Sequence, residues 1–279
     1  MKQIIRIVLL IFLFAACARA DVPLNINKAS QAVVLLYRAI DNTRGVEGTG
    51  FIVSVNNNLY LITAEHVAKD MDESADVIFG DTSDAAIKIK LTLFVRTKIP
   101  YKLAWITHGT ADVAVIAISP PEDVAKRFRS VAFLPKHFFT HLEAPPRDRP
   151  LTTIGYPLGL GGMYLGEDKR ISPLSRESKA ASGLITLPRA DNHVPVPTFL
   201  LDSPSIGGFS GAPVLMLPQI NAVMTIGGDG VCVGLVHGTW SDETGGKLAA
   251  VVPVAYIAET LNKAFSIQSA MDNNHLQSP

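Results

Sequence analysis

The chain is a succession of short apolar runs, each closed off by Gly, Pro, Asn or Asp. Residues 32–37, 50–55, 60–63, 87–95 and 113–118 form one series. Residues 151–155, 182–186, 198–201, 212–217, 230–236 and 248–252 form a second. Apolar runs this short, set between turn formers, read as strands, because they are too short for the buried face of a helix. Asn56-Asn57-Asn58 separates two of them and reads as a hairpin turn, since Asn tolerates positive φ. After Pro120-Pro121 comes a charged stretch to Arg129, and residues 120–150 read as a linker. The Pro-rich segment 145–150 is the strongest break and marks a boundary between two halves, about 30–119 and 151–253. One segment differs. Residues 254–265 carry apolar side chains at 254, 257, 258, 261 and 265, with Glu259 and Lys263 on the other side. That is a helical spacing, and Pro253 fits its first turn. The tail after Ser266 reads as frayed. No fixed-period repeat is present. Many close-spaced strands and one terminal helix predict an all-β barrel or sandwich class.

Composition narrows the function classes. The 279 residues hold 25 Lys plus Arg against 25 Asp plus Glu, for a formal net charge of zero. A nucleic-acid binder driven by phosphate contacts needs a basic excess, so no nucleic-acid partner is expected. With 48% hydrophobic and 18% charged residues, the chain is rich enough in apolar side chains to build a core without staples.

The first twenty residues read as an address. Lys2 and Arg6 precede an apolar run at 7–16, and Ala18-Arg19-Ala20 is a small-x-small cleavage site. Residues 1–20 are therefore expected to be a signal peptide, with the protein secreted or periplasmic. A rival reading stays open: Phe14-Ala15-Ala16-Cys17 resembles a lipobox, which would leave a lipid anchor on Cys17. No later run is long enough to span a membrane. Removal of Cys17 leaves Cys232 alone, and its neighbours Val231, Val233 and Gly234 read as a buried strand.

Three segments carry residue types suited to acyl transfer. They are Thr63-Ala64-Glu65-His66-Val67, Ala111-Asp112-Val113-Ala114-Val115 and Gly207-Gly208-Phe209-Ser210-Gly211-Ala212-Pro213. A Ser hydroxyl is a weak nucleophile until a neutral imidazole takes its proton, and a buried carboxylate fixes the imidazole tautomer. The glycines beside Ser210 free the backbone so that amide N–H groups can face one small space.

These segments resemble those of the chymotrypsin-fold serine proteases, nearest the bacterial trypsin-like branch that includes the high-temperature-requirement proteases. GTGFIVS at 48–54 with LITAEHV at 61–67 resembles the strands that deliver the catalytic His. DVAVIAI at 112–118 resembles the strand start that delivers the Asp, and LDSPSIGGFSGAPV at 201–214 the nucleophile loop. IGYPLG at 154–159, SGLIT at 182–186 and GVCVGLVHG at 230–238 resemble strands of the second barrel. The resemblance covers about residues 32–265. It implies two six-stranded antiparallel barrels with the active site between them. It implies Ser210 as nucleophile, His66 as general base and acid, and Asp112 as orienter. The Gly208 and Ser210 amides become the oxyanion donors, and no cofactor or metal is implied. The expected function is a secreted serine endopeptidase acting on protein or peptide substrates through an acyl-enzyme.

Departures from the family's pattern qualify the resemblance. Phe209 stands where digestive zymogens carry an Asp, which argues against activation by an inserted N-terminus. Residues 163–180, rich in Ser and charge, read as a long surface loop near the cleft, and whether it gates the site is left open. The specificity pocket is expected at Pro204, Ser205, His237, Gly238 and Thr239. With no carboxylate at 204, a Lys or Arg preference is not expected, and a small or medium apolar pocket is favoured. A carboxylate-binding pocket built on His237 is the alternative. For function the alternative is a catalytically silent protease fold kept as a binding module. An α/β-hydrolase is disfavoured because its triad runs Ser, Asp, His and its helices are missing here. His137 and His141 have the spacing of a metal pair but only Glu143 nearby, and both read as surface residues.

Overall fold

The computed structural model describes residues 23–41, 44–81, 83–95, 98–99, 102–138, 141–160, 170–220, 225–226 and 229–276. The expected signal peptide, and Cys17 with it, lies outside the described residues. The first half opens with a short helix α1 (Ile26–Ala32), then β1 (Val33–Ala39), β2 (Gly45–Val55) and β3 (Asn58–Thr63). Next come helix α2 (Glu65–Asp70), β4 (Asp76–Gly80), β5 (Ala86–Lys90) and helix α3 (Leu91–Phe94). The two-residue strands β6 (Lys98–Ile99), β7 (Lys102–Leu103) and β8 (Ile106–Thr107) lead to β9 (Ala114–Ile118) and helix α4 (Glu122–Val131). The second half holds β10 (Leu151–Gly155), β11 (Leu174–Ser178), β12 (Ile185–Pro188), β13 (Pro195–Leu201) and β14 (Pro213–Met216). It continues through β15 (Gln219–Ile220), β16 (Thr225–Ile226), β17 (Val231–Ser241) and β18 (Lys247–Pro253) into helix α5 (Val254–Leu276).

Two antiparallel sheets organise these strands. One runs β5-β4-β1-β2-β3-β9-β8, the other β11-β10-β14-β17-β18-β13-β12. Two antiparallel sheets are consistent with the expected two-barrel fold, with seven strands in each where six were expected. The Asn turn behaves as its chemistry dictates. Asn56 and Asn57 sit at φ 49° and 66°, and Val55 pairs with Asn58 across them. That is the left-handed two-residue turn whose twist matches a hairpin.

Four expectations need correction. Residues 91–94 leave the strand and wind into α3, burying Leu91 and Phe94. The charged stretch after Pro121 is not extended linker but α4, which buries Val124, Ala125, Phe128 and Val131 on one face. Those positions recur at the 3.6-residue period, and Arg129 on the other face pairs with Glu122. The terminal helix does not fray at Ser266 but runs to Leu276. It packs Ile257, Leu261 and Ala264 into the core, against β8, β9, β17 and β18. Residues 163–180 are not one loop. Residues 174–178 form β11 in register with β10, and Ile171 N–H donates to the Asp84 carbonyl at 2.8 Å, pinning this segment to the first sheet. The remainder, 163–169, lies outside the described residues. No helix among the described residues is long and apolar enough to cross a membrane.

Candidate active site

His66 is the second residue of α2, which begins directly after β3. Its backbone N–H donates to Asp112 Oδ1 at 3.0 Å, and its Nδ1 lies 2.7 Å from Asp112 Oδ2. Asp112 stands at the end of the turn that enters β9 and is wholly buried. A carboxylate accepting at this distance fixes the proton on His66 Nδ1 and leaves the Nε2 lone pair facing outward. The His66 side chain is 28% exposed, so that lone pair is reachable from the cleft.

Ser210 is carried by a loop of the second sheet that locks onto the first. Thr49 of β2 makes the link. Its N–H donates to the Ser210 carbonyl at 2.8 Å, and its hydroxyl donates to the Gly208 carbonyl at 2.7 Å. The same hydroxyl oxygen accepts the Tyr156 N–H at 3.0 Å. Gly211 fits because it has no side chain. At φ +85°, a Cβ there would stand 2.1 Å from the Thr49 carbonyl oxygen and 3.0 Å from the Ala64 nitrogen. The nucleophile loop thus lies against the strand end that delivers His66. Phe209, unexpected before the nucleophile, is buried in the core of the second sheet and anchors the loop there.

The loop's amides divide into two sets. Phe209, Gly211 and Ala212 donate to the carbonyls of Ile206, Val236 and Phe209. Among the described residues no intrachain acceptor takes the Gly208 or Ser210 N–H. Gly208 holds φ +91°, and a Cβ there would meet the Tyr156 carbonyl oxygen at 2.3 Å. Two free amides on either side of Phe209 are the donor set an oxyanion requires. Ser210 Oγ itself donates to the His237 carbonyl at 3.2 Å.

His237 lies where sequence reasoning did not put it. A register shift between Val236 and Gly238 makes a bulge in β17, and a bulge re-aims side chains. His237 turns inward, away from the expected pocket, and its Nδ1 reaches Asp112 Oδ2 at 2.5 Å. Its Nε2 accepts the Ala190 N–H at 3.1 Å, so the proton resides on Nδ1. This settles a second question. His66, Asp112 and His237 bring potential ligand atoms within 4.8 Å of one another. Yet a His237 Nδ1 that donates to Asp112 has no lone pair for an ion, and the donor set does not fit a metal.

Arg189 completes the cluster and was not foreseen. It follows β12 in a tight turn closed by the Arg189 N–H to the Val194 carbonyl and the His193 N–H to the Arg189 carbonyl, both 2.9 Å. Its side chain is fully buried. Nη2 donates to Asp112 Oδ1 at 3.1 Å and to Asp191 Oδ2 at 2.7 Å. Nη1 donates to Glu65 Oε2 at 2.8 Å and to the Thr110 carbonyl at 2.9 Å, and Nε to Asp191 Oδ1 at 2.8 Å. Lys69 stands 3.1 Å from Glu65 and 3.8 Å from Asp191.

Burial disfavours a charged Asp112, but hydrogen bonds from His237 and His66 outweigh it and hold this carboxyl far below the usual range. Burial also works against a His66 imidazolium. The hydrogen bond and charge of Asp112, with the charge of Asp191, overcome that and raise the His66 pKa above its ordinary value, while Arg189 pulls the other way.

The expected specificity residues separate. Pro204 and Ser205 line a cavity of about 10 Å³ beside Phe209, with Thr153, Arg176 and Val236. Thr239 Oγ1 donates to the Ser205 carbonyl at 3.2 Å at its edge, and Gly238 pairs with Ala250 in the β17–β18 ladder. The other histidines also divide. His141 is exposed, but His137 is fully buried, with Nδ1 accepting the Leu134 N–H at 3.0 Å.

Fold and site together define a chymotrypsin-type protease domain, with a His–Asp pair from the first sheet and a Gly-framed serine on a loop of the second. The family model described as the trypsin-like peptidase domain matches residues 48–219, more than half of the chain, and the chain belongs to that family. Among solved structures it is similar to the MamO protease domain from Magnetospirillum magneticum in its apo form. That match has a TM-score of 0.52 at 19% identity, over 84% of this chain and 98% of that one. A serine endoprotease from Yersinia pestis gives a TM-score of 0.48 at 18% identity, over 88% and 68% of the two chains. A thermostable serine protease from an extremophilic microorganism gives 0.49 at 13%, over 84% and 97%. These identities speak to fold alone. No curated protein sequence is a significant match.

Proposed function

We propose that the protein is an exported serine endopeptidase that cuts peptide bonds through an acyl-enzyme. The observation that carries this reading is the pairing of His66 with the buried Asp112 at 2.7 Å, with the Ser210 loop held against β2 by Thr49. In the reaction, the Ser210 hydroxyl turns from the His237 carbonyl toward His66. Oγ attacks the scissile carbonyl carbon as its proton passes to His66 Nε2. The carbonyl oxygen gains negative charge and is met by the Gly208 and Ser210 amides. His66 then hands the proton to the departing amine, leaving an ester on Ser210. Water repeats the sequence, giving its proton to His66, and Ser210 is released.

Asp112 keeps the His66 ring in the productive tautomer and balances the imidazolium that forms. On export in this reading the leader is removed, either residues 1–20 by cleavage after Ala20 or residues 1–16 with a lipidated Cys17 left as the first residue. Mass spectrometry of the mature N-terminus distinguishes the two. The activity test is hydrolysis of an unfolded protein such as casein. Turnover by the wild type that disappears in Ser210→Ala and in His66→Ala supports the proposal. Equal hydrolysis by Ser210→Ala overturns it.

One observation favours a second reading, a silent protease fold used for binding: Ser210 Oγ donates to a carbonyl oxygen and not to His66. Under that reading a protein partner binds equally to wild type and Ser210→Ala, and neither cleaves it.

A further inference from the structure

The small cavity beside the nucleophile contains a cation that the reaction itself does not use. Its walls are Thr153, Pro204, Ser205, Phe209 and Val236, with Arg176 as the charged side chain among them. Phe209 adjoins Ser210, and Val236 adjoins the residue whose carbonyl takes the Ser210 hydroxyl. Pro204 is the residue expected at the floor of the substrate side-chain pocket, and Ser205 is expected to line it. The cavity therefore lies where the side chain on the acyl side of the scissile bond would enter.

Arg176 belongs to β11 and pairs with Thr153 of β10 across the ladder, which points both into the same space. Its Nη1 donates to the Pro204 carbonyl at 2.8 Å. A guanidinium has five N–H donors in a fork that matches a carboxylate. Here one donor meets a neutral acceptor, and among the described residues no carboxylate pairs with Arg176. This contrasts with Arg189, which engages three carboxylates.

An unmatched cation at the base of a substrate pocket selects strongly. An apolar side chain would desolvate the guanidinium and return nothing to it. A Lys or Arg side chain would meet like charge at a partly buried guanidinium. A carboxylate replaces a single bond to a neutral carbonyl with an ion pair that two parallel N–H donors of the fork can hold. The free cavity, about 10 Å³, is roughly the size that admits one water. Entry of a side chain thus means drawing the guanidinium off the Pro204 carbonyl, which is the exchange a carboxylate rewards. The hydroxyls of Ser205 and Thr239 lie at the same edge and can donate to its second oxygen once released from their backbone acceptors.

We propose that Arg176 is a specificity-determining residue and that the enzyme cuts after acidic residues. This rests on the endopeptidase reading, and the test separates the two. A fluorophosphonate probe, which carries no side chain for this pocket, first titrates active Ser210. The titrated enzyme is then given a peptide library with cuts mapped by mass spectrometry, and matched peptides with Glu, Asp, Gln, Leu or Lys before the cut.

The expected result is enrichment of Glu or Asp before the cut, with kcat/KM for Glu at least about tenfold above Gln. Arg176→Gln should bring that ratio near unity, and Arg176→Glu should shift preference toward Lys. Probe labelling together with cuts after apolar residues overturns the specificity proposal and leaves the protease standing. An unlabelled, inactive but folded wild type overturns both. The wild-type library decides the question even if the Arg176 variants fail to fold.

Discussion

Arg189, carried by the second sheet, places Nη2 3.1 Å from Oδ1 of Asp112, the buried carboxylate of the first. This contact sets the charge around His66. Asp112, Glu65 and Asp191 supply three negative charges, and Arg189 and Lys69 supply two positive ones. His237 adds a neutral donor. The cluster is one positive charge short of balance, which a His66 imidazolium would supply.

The pH dependence follows from this arrangement. The His66 pKa is raised, and His66 must be neutral to act as base, so activity falls as pH drops through that raised value. Removing the Arg189 charge raises it further. Arg189→Gln should therefore move the acid limb of the labelling rate to higher pH, and Arg189→Lys, which keeps the charge, should move it less. Coincident limbs for wild type and Arg189→Gln would show that the charge of Arg189 does not reach His66.

Asp112→Asn should lower kcat by about 10⁴. The reason is specific to this site: Oδ1 and Oδ2 together accept from two imidazoles, one guanidinium and one amide. An Asn can present only one oxygen to these donors, and its NH2 must face the others. Steady-state kinetics on a folded variant checks this, and a loss under tenfold would remove Asp112 from the orienting role.

Two glycine substitutions should differ in cost. Gly211 and Gly245 share positive φ, at +85° and +92°. A Cβ at 245 meets nothing within 4 Å, whereas one at 211 runs into the Thr49 carbonyl. Gly245→Ala should cost about 1 kcal/mol from backbone strain alone. Gly211→Ala should cost more than about 3 kcal/mol and detach the nucleophile loop from β2. Thermal unfolding of the two variants measures the difference, and equal Tm losses would contradict it.

Cys232 should be inert. Burial pushes its thiol pKa up to about 12, and Sγ lies 3.4 Å from the Gly234 carbonyl oxygen. Iodoacetamide at pH 8 should leave it unmodified in the native protein and alkylate it in denaturant, read by mass spectrometry. Rapid native labelling would show that this strand opens.

Much of the site was legible because its chemistry is local. The segments around His66, Asp112 and Ser210 each combine a reactive residue with the backbone it needs, and Asn56-Asn57 encodes its own turn. What escaped reading depends on distance or on a one-residue offset. Arg189 reaches Asp112 across 77 positions and sits among Pro, Ala and Asp with nothing local to mark it. His237 follows an inward-facing strand pattern, and only the bulge at 236–238 turns it onto Asp112. Helix α4 was hidden by its charges, although Val124, Ala125, Phe128 and Val131 already repeat at helical spacing. Arg176 lies on a strand that was read as loop, so its pairing with Thr153 had no frame to appear in.

The central claim is that Ser210 is an activated nucleophile served by His66. Reacting the mature protein with a fluorophosphonate probe, and locating the adduct by mass spectrometry, tests it most directly. The account predicts one adduct, on Ser210, that is lost in His66→Ala. A folded wild type that takes up no probe, or one labelled equally in His66→Ala, would contradict it.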